Sequence, residues 1–185
     1  MRLSKTLPED IEEIIASGDL GAVARAVEGC QIGAYLRRSA YEPRLMHFPA
    51  SQEITAFLLE RGEDINSRDR YEQTPVHWRV MNRRVDQIPY LVSRGADINA
   101  RDRDDRTPLF DAVRILEASD VERMISWGAN ARVVAKSRFH GKVTLTEHAL
   151  GEEVFLDAPR ALGVIRVLLA HRARTGKRER ESLRS

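Results

Sequence analysis

Cysteine is nearly missing from this chain: Cys30 is the only one in 185 residues. A single thiol excludes an internal disulfide framework and suits a reducing compartment. Long apolar runs are missing too. No stretch approaches the roughly 20 residues that a membrane-spanning helix needs. The opening residues, Met1 to Glu13, turn acidic before the apolar stretch of a signal peptide could form. The expectation is a soluble, cytoplasmic, monomeric protein with no membrane contact. Nor is there a strong excess of one charge, since 30 basic residues face 28 acidic ones. The imbalance is local: from His171 onward, Arg172, Arg174, Lys177, Arg178, Arg180 and Arg184 accompany only Glu179 and Glu181. Residues 175–185 therefore read as a basic charged tail that either extends the last helix or stays disordered.

Motifs that announce chemistry are equally scarce. The chain holds no nucleophile elbow, phosphate-cradling loop or dinucleotide fingerprint. Gly18, Gly21 and Gly29 have the wrong spacing for these and follow no strand. Cys30 and the five histidines show no zinc-ligand spacing. His140 and His148 flank a loop and a helix start without an assignable partner. Asp102-Arg103-Asp104-Asp105 has the carboxylates of a calcium loop but lacks its glycine and its late bidentate Glu. It reads as a hairpin. The expectation is a chain without catalytic residues, metal or cofactor.

What the sequence does hold is a period. Thr74-Pro75-Val76-His77 returns 33 residues later as Thr107-Pro108-Leu109-Phe110. Gly62, Gly95 and Gly128 keep the same interval, within Arg61-Gly62-Glu63-Asp64-Ile65-Asn66, Arg94-Gly95-Ala96-Asp97-Ile98-Asn99 and Trp127-Gly128-Ala129-Asn130. A fixed period with its chemistry intact marks a stacked-repeat protein. Thr74 and Thr107 stand at helix N-caps, and Pro75 and Pro108 follow where a missing N–H costs nothing. The three glycines close a second helix, where the chain needs a positive φ. The apolar stripe Ile88, Leu91, Val92 answers to Val121, Met124, Ile125 at helical spacing. Such short helices are marginal alone, so neighbouring units must stack.

The period, the Thr-Pro start and the Gly-Ala-Asp-Ile-Asn end resemble the ankyrin repeat, across about residues 9–173 and most strongly over 62–132. The resemblance implies an all-α solenoid of helix-turn-helix pairs with hairpin loops, in a single domain over 1–174. An N-terminal cap spans 9–30, followed by units at about 44–66, 67–99, 100–132 and 133–173. Unit 44–66 is short: His47 to Gly62 is 15 residues where His77 to Gly95 is 18. It has lost about a turn, and Pro49 should end its first helix early. Residues 1–8 read as a polar lead and 31–43 as irregular. Enlarged connections are expected at 135–142 and 151–159.

In the resembled family, hairpin tips and first helices line a concave face that binds other proteins. Carried over, this implies a non-catalytic protein-binding module, one form of which is an inhibitor or immunity-type protein. Its tips are Arg70, Tyr71, Arg103 and Asp104. The exposed first-helix positions are Trp78, Met81, Asn82, Asp111, Arg114 and Ile115. His77 would be structural. Two departures stand out: Glu72 and Asp105 replace the turn glycine, and Arg79 replaces a small Ala, so it must snorkel or pair. Arg68, Arg70, Arg101, Arg103 and Arg106 interleave with acids, which reads either as a self-neutralising ladder or as a docking strip. The alternative function is electrostatic binding of nucleic acid or another anionic surface through the basic tail. The acidic body and the lack of tail aromatics weigh against it.

Overall fold

The computed structural model describes residues 3–137, 141–150 and 158–182. They fall into two compact units, residues 1–103 and 104–185.

The first unit opens with strand β1 (Ser4–Thr6), then helices α1 (Ile11–Ala16) and α2 (Leu20–Val27), then strand β2 (Cys30–Tyr35). A 3-10 turn at Leu45–His47 and helix α3 (Gln52–Glu60) follow, and then α4 (Pro75–Met81) and α5 (Ile88–Ser93). Helices α2 and α3 start on side-chain caps: Asp19 accepts from the Ala22 N–H at 3.0 Å and Ser51 from the Ile54 N–H at 3.2 Å. Helices α3 and α5 stop at glycine. Gly62 and Gly95 take φ of 99° and 97°, and the next N–H reaches back to Leu58 O and Leu91 O, each at 3.0 Å. The core is the apolar stripe the period requires, with Ile11, Ile15, Val23, Leu45, Met46, Ile54, Leu58, Val76, Val80, Ile88 and Leu91 all buried.

The all-α expectation needs correcting here. The polar lead and the start of the irregular stretch form a parallel strand pair, with Ser4 opposite Cys30 and Thr6 opposite Tyr35. A buried ion pair anchors it. Arg61 pairs with Glu63 and donates to the carbonyls of Val27 and Cys30. Glu63 Oε2 accepts the Gly33 N–H at 3.0 Å. Burial pushes the Glu63 carboxyl up, against the opposing pull of the Gly33 N–H and Arg61.

The short unit has the shape its length demands. Where α4 runs seven residues, its counterpart is the three-residue turn Leu45–His47. The space left by the missing turn is taken by the next unit's Arg79. This side chain is 1% exposed, and its Nη1 donates to His47 O at 2.7 Å. The arginine at the alanine position is thus neither snorkelled nor salt-bridged. It caps the carbonyl that the truncated helix leaves open.

The second unit holds α6 (Pro108–Ile115) and α7 (Ala118–Ser126), strands β3 (Val134–Ser137) and β4 (Gly141–Thr144), and helices α8 (Leu145–Leu150) and α9 (Ala158–Ser182). The enlarged connection at 135–142 proves to be an antiparallel hairpin, with Val134 opposite Thr144 and Ser137 opposite Gly141. Its turn, with His140, lies outside the described residues, as does most of the insertion expected at 151–159. Thr144 and Glu147 form a capping box at the start of α8: the Glu147 N–H reaches Thr144 Oγ1 at 3.3 Å, and Thr144 N reaches Glu147 Oε2 at 2.7 Å. Leu109, Val113, Val121, Met124, Leu145, Val164 and Leu168 make the core. The start of the basic tail is helical, since α9 continues to Ser182. No described helix is long and apolar enough to cross a membrane.

Candidate functional site

Three hairpin tips recur along the repeats, 30 and then 33 residues apart. In the first unit Arg70 N donates to Tyr41 O at 2.8 Å, and Arg103 N to Tyr71 O at 3.0 Å. In the second unit Lys136 N donates to Asp104 O at 3.1 Å. The residue after each accepting carbonyl has a positive φ: Glu42 at 50°, Glu72 at 62° and Asp105 at 60°. These acids occupy the left-handed position that favours glycine.

Asp69 builds the tip at Arg70 and Tyr71. Its Oδ1 accepts from Tyr71 N at 2.8 Å and Gln73 N at 2.9 Å, an Asx-type turn. Its Oδ2 accepts the Trp78 indole N–H at 2.9 Å. That bond changes the reading of Trp78, which was expected to be an exposed anchor. The indole is half-buried, with His47 and Phe48 packed edge-on at centroid distances of 5.6 and 6.2 Å. It serves as a platform, and the ring standing on it is Tyr41, edge-to-face at 5.9 Å.

Tyr41 is the residue sequence reasoning missed. Its ring lies 5.0 Å from that of Tyr71, and the two are 45% and 40% exposed. Arg103 sits 5.6 Å from the Tyr71 centroid and donates to Arg70 O. Arg70 lies 3.8 Å from Glu42. Five side chains (Tyr41, Glu42, Arg70, Tyr71 and Arg103) thus form one amphipathic patch. The signal was present in the three-residue deficit of unit 44–66: counting back 30 from Tyr71, not 33, lands on Tyr41.

The first-helix positions divide. Asn82 is exposed, though its amide donates to Trp78 O at 2.8 Å, and Met81 is half-buried. Arg114 is exposed, and Ile115 is half-buried. Asp111, expected at the surface, is buried. The cause is enclosure, because α6 is covered at six consecutive positions from Pro108 to Val113, which narrows its exposed stripe. Asp104 is exposed.

Two histidines hold the scaffold behind the tips. His77 Nδ1 accepts the Thr74 N–H at 3.1 Å and lies 3.0 Å from Thr74 Oγ1, the structural role expected of it. His47 Nδ1 likewise accepts the Arg44 N–H at 3.1 Å, while its Nε2 faces Gln73 O at 3.0 Å. A ring that accepts at Nδ1 and donates at Nε2 is neutral. Burial lowers the His47 pKa to about 4, against the opposing effects of the Gln73 carbonyl and Asp69. Nothing in this arrangement presents a nucleophile beside a base. What it offers is an exposed surface of tyrosine and arginine held in the first unit by backbone hydrogen bonds between successive tips.

A family model described as ankyrin repeats, in three copies, matches residues 45–134. No curated protein matches the chain.

Proposed function

Residues 45–134 of this chain are ankyrin repeats, which are generally protein–protein interaction modules, and from that premise we propose that the chain captures a partner protein on its hairpin tips. The observation supporting the site is the patch of Tyr41, Tyr71, Arg70 and Arg103. Two tyrosines in ring contact are left 45% and 40% exposed with arginines beside them. Tyr and Arg are the side chains that dominate binding hot spots, because they offer large contact area with little entropy to lose. Asn82 and Met81 extend the surface along α4, and in the second unit Asp104 and Arg114 are exposed at the equivalent places. Asp111 and Trp78 drop out as direct contacts, since one is buried and the other is covered by its neighbours.

A narrower form of the proposal is an inhibitor or immunity-type protein that occludes its target. It requires one-to-one loss of the target's activity on binding.

The test is affinity capture followed by cross-linking and mass spectrometry, comparing wild type with Tyr71→Ala/Arg70→Glu at low and moderate salt. The double variant should keep its circular dichroism spectrum and lose the captured protein by at least tenfold, about 1.4 kcal/mol. Undiminished capture with cross-links elsewhere would remove the tips from the site.

A further inference from the structure

Beside Arg79 lies a polar notch in which two buried groups have no hydrogen-bond partner. It is a cavity of ≈ 190 Å³ within the first unit, bounded by Ser51, Thr55, Arg79, Asp86, Gln87 and Tyr90 among others. Arg79 is buried at its floor. Its Nη1 is used on His47 O, but its Nε has no hydrogen-bond partner, and neither has Gln87 Oε1. No carboxylate of the described residues forms an ion pair with Arg79. Asp86, the nearest candidate by position, is well exposed and lies 3.9 Å from Arg84. The Asp86 charge favours the ionised Arg79 only at a distance, so the buried guanidinium lacks a direct ion-pair partner, which is costly, and an anion on its Nε edge would supply one.

The shape of the donors narrows the anion. With Nη1 occupied, the guanidinium presents its Nε edge, where planar carboxylates bind in parallel, two-point fashion. The Gln87 amide carries both donors and an acceptor, and rotation about its last bond exchanges the two ends. Turned over, it offers N–H donors to the same ligand. Ser51 Oγ already accepts from the Ile54 N–H, so its own proton is available to donate. Arg79 keeps its charge at neutral pH, although burial lowers its pKa to about 10.

We propose that this cavity is a carboxylate-binding site, in which a carboxylate seats on the Nε edge of Arg79 with the Gln87 amide as its second anchor. The carboxylate comes either from a small free acid or from an acidic side chain or chain end of a bound protein. The site is separate from the hairpin tips and does not depend on their role.

The test follows the Arg79 Nε–H signal in ¹H–¹⁵N spectra of the full chain, assigned by its loss in Arg79→Lys. Sodium acetate, sodium phosphate, sodium chloride and a short peptide ending in a free or amidated glutamate are titrated in turn. Acetate should give a saturable shift that chloride at equal ionic strength does not. Gln87→Leu, which leaves the guanidinium in place, should weaken binding by roughly fivefold to tenfold. Tighter binding of the free-carboxylate peptide than of acetate supports a protein source, and equal binding supports a small acid. No saturable shift with acetate, saturation by phosphate in its place, or an unchanged Gln87→Leu would overturn the assignment.

Discussion

His47 carries a scaffold task that depends on its protonation state. Its ring bridges the Arg44 N–H and the Gln73 carbonyl, and it does so as the neutral form. The folded pKa of about 4 lies below the ordinary value of 6.5. Protons therefore favour the unfolded chain: the ring's contribution is intact above pH 6.5 and is lost as pH falls toward about 4. The loss should reach up to about 3 kcal/mol. Urea midpoints measured from pH 7 to pH 4 test it against His47→Gln, which can keep a donor and an acceptor but does not titrate. Parallel pH profiles for the two proteins would exclude His47 as the source. At this scale the sequence was legible where a residue sat on the period, as His77 did. His47 occupies the same place 30 residues earlier, yet its bonds were not readable because no Thr-Pro precedes it. Asp111 misled for a different reason. Helical spacing alone does not say how many faces of a two-turn helix its neighbours will cover.

Among elements, the helix ends were the most readable. Gly62, Gly95 and Gly128 do what a C-terminal glycine must, with φ near 100° in each case. The hairpin turns were readable by their departure from the family pattern. Glu72 and Asp105 hold φ of 62° and 60° where a residue without a Cβ is at ease. A left-handed conformation costs an ordinary L-residue about 1–2 kcal/mol, partly offset in glycine by backbone entropy. Glu72→Gly should therefore stabilise the protein by about 0.5 kcal/mol and raise its Tm. Asp105→Gly should do less, since Asp tolerates this region better. The Arg68–Glu72 contact given up is exposed and 4.0 Å long, so it offsets little. Calorimetry of the two variants decides it, and a lower Tm for Glu72→Gly would show that its side chain matters more than its backbone. The strand pair β1–β2 was not legible. Its partners are 26 or more residues apart, and nothing local distinguishes a short edge strand from a polar lead.

For the molecule as a whole, the family, the repeat register and the short unit were legible because each repeats a local signal. The patch at the tips was only half legible. Its arginines and Tyr71 sit on the period, whereas Tyr41 lies beyond a three-residue gap in it. The tail separates the two functional readings. If the tips hold the partner, deleting residues 175–185 should change its affinity by less than about twofold, or 0.4 kcal/mol. An electrostatic anchor would lose most of its binding and its salt dependence with them. Titration of the truncated chain against the captured protein at two salt concentrations distinguishes these outcomes.

Repeat arrays invite treatment as interchangeable parts, to be shuffled, deleted or grafted one at a time. The Arg79 plug forbids this between residues 44 and 99. A consensus unit carrying alanine there would leave the His47 carbonyl open and the notch unfilled. A full-length unit placed before Arg79 would bury a cation against a helical turn with no carbonyl to spare. The two repeats are therefore to be exchanged together, at junctions on either side of the pair.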